Sequence, residues 1–329
     1  MIGLAELEAA AERVHAAMAP TPQYAWPLLA ARAGCEVWVK HENHTPTGAF
    51  KVRGGLNLVA QLAGELPRLS GIASATRGNH GQSLAYAGRR HGLPCTIVVP
   101  FRNSTSKNAS MRAWGAELIE HGRDFDEARV FATRLAADRG LRFVGPFERE
   151  LVAGVASYAL ELFRATPAIE RVFVPIGCGS GICGLIAARD ALGLATRIVG
   201  VVSANANAYA QSFRAGRAIE TVTADTMADG MAVRVPVEAA LAEIRRGAED
   251  VVEVTDPEVE DAIRAYFDDT HQVAEGAGAA PLAALMKWPK RRGKRAAVIL
   301  CGGNLDADTY ARVLAGRGDL VSSKTRTAG

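Results

Sequence analysis

Short runs of β-branched and apolar residues alternate with longer stretches in which Ala, Leu and Arg recur at helical spacing, and the alternation continues through most of the chain. The short runs predict strands at Glu36–Lys40, Gly71–Thr76, Cys95–Pro100, Glu117–Glu120, Arg171–Pro175, Ile198–Val202, Asp250–Val254 and Ala296–Leu300. The longer segments predict helices, among them Gln82–His91, Phe125–Arg139, Val152–Phe163 and Glu258–Thr270. Asp256-Pro257 reads as an N-cap followed by proline at the first helical position, a clean start for the last of these. Alternating strand and helix implies an α/β protein whose parallel sheets are covered on both faces. The strands fit one wide sheet or two smaller sheets in separate lobes. Past about Ala315 the chain is short of apolar residues and is expected to fray.

Composition narrows the field without choosing within it. The 329 residues are 49% hydrophobic and 22% charged, as in an ordinary globular protein. A net charge of +3 gives no argument for nucleic acid or an anionic membrane, and 6% aromatic residues speak against a base-stacking surface. Cys35, Cys95, Cys178, Cys183 and Cys301 are scattered and form no C-x-x-C pair, so neither zinc nor a disulfide framework is indicated. The stretch from Met1 to Ala17 carries Glu6, Glu8 and Glu12, which a secretory signal would not. No apolar stretch is long enough to span a bilayer. A soluble, cytoplasmic protein with reduced thiols is expected, with neither membrane nor nucleic acid as partner.

Four segments could carry chemistry. In Thr45-Pro46-Thr47-Gly48-Ala49-Phe50-Lys51-Val52-Arg53-Gly54-Gly55, turn residues precede a lysine at the start of a helix. The positive end of the helix dipole favours the neutral, nucleophilic amine there, although an arbitrary lysine is ordinarily a solvated one. Val174-Pro175-Ile176-Gly177-Cys178-Gly179-Ser180-Gly181-Ile182-Cys183-Gly184 joins a strand to a helix, and its glycines let backbone N–H groups face an anion such as phosphate. Gly179-x-Gly181-x-x-Gly184 also matches a dinucleotide fingerprint, but the next strand ends Val201-Val202-Ser203-Ala204-Asn205 without the acid that would hold a ribose. A purely structural glycine turn also fits.

Ala75-Thr76-Arg77-Gly78-Asn79-His80-Gly81-Gln82 is again strand, polar turn and helix. Such turns bind ligands in open α/β sheets, and Asn79 and His80 offer hydrogen bonds; a plain capping turn is the alternative. Leu300-Cys301-Gly302-Gly303-Asn304 runs a strand into two glycines that let a flat ligand approach, with Cys301 facing it or serving only as a small core residue.

In their order along the chain, from about Thr21 to Asn304, the segments resemble those of fold-type II pyridoxal-phosphate enzymes, the tryptophan synthase β-like group, and within it the threonine/serine dehydratases. His41-Glu42-Asn43-His44 leading to Lys51, with Ala75-Thr76-Arg77-Gly78-Asn79-His80, is similar to the hydroxyectoine-utilisation subgroup. The resemblance implies a two-lobed α/β enzyme with twisted, parallel-rich sheets flanked by helices. Residues 1–70 and 147–329 would form a large cofactor-binding domain, with 71–146 a small domain inserted in it. It also implies pyridoxal 5′-phosphate held by Lys51 as a Schiff base, Lys51 then removing the α-proton. Phe50 would lie beside the ring, Asn79 would bond the 3′-hydroxyl, and Gly177, Cys178, Gly179, Ser180 and Gly181 would cradle the phosphate. Cys301 would face the pyridine nitrogen, where a poor acid leaves that nitrogen unprotonated and favours prompt loss of a β-hydroxyl. Thr76 and His80 fall in the segment that holds the substrate carboxylate.

The implied reaction is β-elimination of water from L-threonine, L-serine or a close analogue, giving a 2-oxo acid and ammonia. A hydroxyectoine-derived amino acid or 3-hydroxyaspartate is the alternative substrate. An oxidoreductase using the Gly179 fingerprint with NAD and a non-catalytic sensor are the rival classes. Racemising relatives carry Ser where Arg77 stands, so little racemase activity is expected. Arg77 could clamp a second carboxylate or be solvent-facing or structurally paired. Those relatives bind a divalent cation through Glu and Asp in the segment matching Val202 to Ala208; this chain has Val202 and Ala208 there, with Asn205 and Asn207 between, so no metal is expected. A homodimer is implied, and no regulatory domain is expected after Asn304.

Overall fold

The computed structural model describes residues 2–316 apart from 63, 65–68, 167 and 290–292. The chain expected to fray lies almost wholly outside the described residues. Ten strands run in chain order: β1 (Gln23–Ala25), β2 (Glu36–His41), β3 (Ile72–Ala75), β4 (Cys95–Val99), β5 (Glu117–Glu120), β6 (Arg142–Phe143), β7 (Arg171–Pro175), β8 (Arg197–Ser203), β9 (Asp250–Val254) and β10 (Arg295–Leu300). They form two sheets rather than one, in the orders β1-β2-β10-β7-β8-β9 and β5-β4-β3-β6. Every pairing is parallel except β1 with β2. The chain therefore leaves the six-stranded sheet after β2, builds the whole four-stranded sheet, and returns at β7.

Central parallel strands are buried on both faces and read as unbroken apolar runs. β3 and β4 are buried at every residue, and in β7 and β10 only the first residue is not. Each predicted strand is present with ends moved by at most two residues. β1 and β6, three and two residues long, are too short to show a period. Among the described residues no helix is long and apolar enough to cross a membrane. All five cysteines are free.

Helix Lys51–Leu62 is gripped from two sides through glycines. A Cβ on Gly55 would fall 2.3 Å from the Ser83 Oγ of helix Asn79–His91, and one on Gly154 of helix Arg149–Ala165 would fall 2.4 Å from the Arg53 carbonyl oxygen. Backbones this close leave the helix little room to slide, which fixes the height of Lys51 relative to both sheets. One expected cap is corrected. Thr255, not Asp256, caps helix Asp256–Thr270 in a capping box with Glu258. The Asp256 carboxylate instead accepts from Thr226 Oγ1 at 2.5 Å and Met227 N at 3.2 Å, which ties down the loop leading to Asp229.

Candidate active site

The turn before Lys51 is held by its own threonine and by the end of β10. Thr45 Oγ1 accepts from Ala49 N and donates to Ala49 O, both at 2.9 Å, around Gly48 at φ 68°. Phe50 N donates to Cys301 O and Gly303 N to Gly48 O, each at 2.9 Å, and Asn304 Nδ2 donates to Thr47 O at 2.8 Å. Lys51 thus becomes the first residue of its helix with a fixed direction. Its Nζ donates to Ser180 Oγ at 2.8 Å and lies 5.2 Å from the centre of the Phe50 ring. No carboxylate pairs with it among the described residues. Burial therefore lowers the amine's pKa, offset only in part by Cys178 and Cys301.

Ser180 opens helix Ser180–Ala191, directly after β7. Gly179 sits at φ 98°, and a Cβ on Gly177 would meet the Gly230 carbonyl oxygen at 2.3 Å. The loop carbonyls are turned away and satisfied: Cys178 O accepts from Tyr209 Oη at 3.2 Å and Gly181 O from Tyr158 Oη at 2.9 Å. No side chain caps this helix. Its first N–H groups are left for a ligand, at the positive end of the dipole. The third glycine of the fingerprint has a packing use, since a Cβ on Gly184 would fall 3.1 Å from Ala156 N in the neighbouring helix.

On the opposite wall, Thr76 Oγ1 closes the turn after β3 by accepting from Gly78 N at 2.9 Å and Gly81 N at 3.4 Å. Asn79 is fixed at both ends of its amide. Its Nδ2 donates to Glu275 Oε1 at 2.6 Å and its Oδ1 accepts from Asn304 Nδ2 at 2.9 Å. One amide N–H remains for a ligand. His80 is buried, and its pKa falls to about 3 through burial and then the Lys51 charge, against a hydrogen bond with the Val144 backbone. It is a neutral ring at ordinary pH. Burial pushes the Cys301 thiol well up, so it too stays neutral.

Phe50, Lys51, Thr76, Arg77, Asn79, His80, Gly177, Cys178, Gly179, Ser180, Gly181 and Cys301 all line one cavity of about 830 Å³, its open mouth included. Sequence reasoning missed three charged residues that line the same cavity. Lys107 Nζ donates to Asp229 Oδ2 at 2.6 Å and lies 3.3 Å from Glu275 Oε2. Burial lowers the Lys107 pKa, but the two carboxylates outweigh it and raise it above the usual lysine range. For Glu275 burial wins over Lys107 and the pKa is raised. Lys107 belongs to helix Thr105–Ala113 beside the four-stranded sheet; Asp229 and Glu275 come from the other side of the cavity. Only Glu275 left a trace, as a lone acid in the apolar run Val273–Leu285.

Residues 14–302 match the profile of a family described as pyridoxal-phosphate dependent enzyme. The chain is 35% identical over 288 residues to the L-threonine ammonia-lyase of Thermotoga maritima, covering 87% of this chain and 72% of that one. It is 31% identical over 312 residues to the L-threo-3-hydroxyaspartate ammonia-lyase of Saccharomyces cerevisiae, covering 94% and 95% of the two chains. Its fold superposes on the processed form of threonine deaminase isoform 2 from Solanum lycopersicum with a TM-score of 0.86 and 28% identity, over 96% of this chain and 95% of that one.

Proposed function

This chain belongs to the family of pyridoxal-phosphate dependent enzymes, and from that premise we propose that it eliminates water from a small β-hydroxy amino acid of the L-threonine or L-serine kind, giving a 2-oxo acid and ammonia. The observation that carries the reading is the setting of Lys51. Its amine has its pKa lowered by burial, pairs with no carboxylate among the described residues, and is aimed across the cavity at the uncapped start of helix Ser180–Ala191.

The cavity fits the cofactor at each end. The Lys51 amine would hold its aldehyde carbon, and the open N–H groups around Gly177 to Gly181 with the Ser180 hydroxyl would hold its phosphate. Phe50 would flank the ring, the spare N–H of Asn79 would donate to the ring hydroxyl oxygen, and the neutral Cys301 thiol would face the ring nitrogen without charging it. When bound, pyridoxal phosphate supplies an electron sink for the substrate's α-carbon.

The remaining work belongs to the chain's own residues. Burial lowers the Lys51 pKa, which favours the neutral amine, and in that form Nζ can take the α-proton. Ser180 Oγ keeps that nitrogen on the cavity side. The Thr76 hydroxyl accepts from two backbone N–H groups, which leaves its own proton to donate to the substrate carboxylate. The neutral His80 ring lines the same cavity and has a buried Nε2 with no hydrogen-bond partner.

Residues 72–143 hold the whole four-stranded sheet, which supports residues 71–146 as a small domain inserted into a large one made of 1–70 and 147–329. Exposed Tyr24, Leu28, Phe267 and Val273, on neighbouring elements, support a homodimer contact. Free cysteines suit a reducing cytoplasm.

Protein reconstituted with pyridoxal phosphate is expected to be coloured, to carry the borohydride-fixed cofactor on the peptide containing Lys51, and to release a 2-oxo acid from threonine or serine. Fixation on a different lysine, or a colourless protein, ends the reading.

A further inference from the structure

A guanidinium withdrawn from water must find acceptors, because an unpaired buried charge is costly. The other buried and part-buried arginines around the site each hold at least one carboxylate. Arg53 is bonded to Glu42 and Glu161, Arg142 to Glu148, and Arg234 to Asp126 at 2.8 Å with Asp124 at 3.5 Å. Arg77 departs from this pattern. It is half-buried, makes no hydrogen bond or ion pair among the described residues, and has its Nε sealed from solvent with no acceptor.

Its position makes the vacancy chemical. Arg77 directly follows Thr76 and lines both the cavity that holds Lys51 and the adjoining one. The residues shared by the two cavities are otherwise Phe125, Pro146, Cys178, Ala232 and Val233, which carry no charge. The carboxylates nearby are spoken for: Asp229 and Glu275 by Lys107 and Asn79, Asp124 and Asp126 by Arg234. Asp225 lines the adjoining cavity and forms no ion pair with Arg77. The acceptor is therefore to be sought on the ligand.

We infer that Arg77 receives a second carboxylate carried at the side-chain end of the substrate, so that the preferred class is a β-hydroxy amino dicarboxylate of the 3-hydroxyaspartate type. This rests on the elimination reaction proposed above and names its substrate class. The chemistry balances without an oxidant. The Cα–H and Cβ–O bonds break and water leaves; the resulting enamine takes up one water and releases ammonia, leaving a 2-oxo dicarboxylate. A planar guanidinium grips a carboxylate by two parallel hydrogen bonds, whereas the methyl of threonine leaves it as unpaired as it now is.

The test uses the reconstituted enzyme and compares kcat/KM for 3-hydroxyaspartate with that for threonine. Wild-type protein is expected to prefer the dicarboxylate, and Arg77→Gln to lose on the order of 10- to 100-fold of that ratio, chiefly through KM, with threonine turnover kept and Arg77→Lys retaining part. Equal loss on both substrates with weaker cofactor binding assigns Arg77 to the cofactor phosphate and overturns the inference; so does an unchanged ratio. Calorimetry with L-aspartate and L-2-aminobutyrate, which have no β-hydroxyl to lose, decides the matter independently of turnover. Aspartate should bind at least 10-fold more tightly, and the difference should vanish in Arg77→Gln. Equal wild-type affinity for the two sinks the inference. Failure of both hydroxy amino acids to react, with the affinity difference intact, would instead overturn the reaction and leave the carboxylate site standing.

Discussion

Lys51 and Arg53 lie two residues apart at the start of one helix, and the structure treats their charges in opposite ways. Arg53 is fully buried and double-forked. Its Nε and Nη2 reach the two oxygens of Glu42 at 2.6 and 2.9 Å, and Nη1 and Nη2 reach those of Glu161 at 2.6 and 2.9 Å. Ser157 and Thr21 take further donors, and Lys40 adds a second cation on Glu161 at 2.5 Å. Every donor of that guanidinium is used. Lys51 faces the other way, into the cavity, with one hydroxyl and, among the described residues, no acid. A carboxylate beside it would hold the amine charged and idle, as Asp229 and Glu275 do to Lys107. Reactivity here is the deliberate absence of a partner, set beside a network in which every charge has one.

The contrast predicts that the two residues fail in different assays. Lys51→Ala should abolish turnover, by on the order of 10³-fold or more, since it removes both the covalent anchor and the base. Unfolding should change by less than about 1 kcal/mol, because a desolvated amine without an acid partner contributes little to stability. Arg53→Met should cost about 3–5 kcal/mol in chemical denaturation, because it leaves Glu42 and part of Glu161 buried and unpaired. Comparable instability in both variants would erase the distinction.

Acid should separate the regions next. Burial raises the Glu161 carboxyl, but Arg53 and Lys40 outweigh it and bring its pKa down to about 2 from 4.5. A carboxylate depressed on folding stabilises fully above its unfolded pKa and loses that contribution as the pH falls through the folded one. Wild-type protein should therefore lose stability between about pH 4.5 and pH 2. In Glu161→Gln the slope over that window should be shallower, read as denaturation midpoints against pH. Identical slopes would show that the network does not carry the charge.

How much of this could be read in the chain depended on how local the signal was. Lys51 and Ser180 stood out because each opens a helix after a glycine-bearing turn, so motif and geometry share a few neighbouring residues. The parallel strands were legible from their apolar runs. Arg53 was visible only as part of the lysine motif; its partners Glu42 and Glu161, and Lys40 which shares Glu161, come from three separate elements, which no periodicity records. Lys107, Asp229 and Glu275 were hidden for the same reason, being 46 to 168 positions apart and joined only where the two sheets face each other across the cavity. The strand β1 was missed because it is ordered by antiparallel pairing with β2, not by its own pattern.

The smallest effect gives the sharpest comparison, because the same substitution can be made on each side. Ser180 Oγ accepts from Lys51 Nζ at 2.8 Å, and Ser157 Oγ accepts from Arg53 Nη1 at 2.9 Å. Both serines are buried, both stand in helices, and each loses one hydroxyl on replacement by alanine. A hydrogen bond of this kind contributes about 1 kcal/mol. If the two regions differ as the geometry says, that loss surfaces in different places. Ser157→Ala strands one donor of a buried cation, so the expected result is about 1–2 kcal/mol of lost stability with cofactor affinity unchanged. Ser180→Ala removes a partner from an amine that was never committed to the fold, and a hydroxyl from the start of the glycine helix. Stability should move by less than about 0.5 kcal/mol, while cofactor affinity, read from the aldehyde-dependent absorbance on titration, falls about 5- to 10-fold. Crossed results, with Ser180→Ala unfolding early and Ser157→Ala shedding cofactor, would mean that the Lys51 hydroxyl contact belongs to the scaffold and that the free amine is not what distinguishes the site.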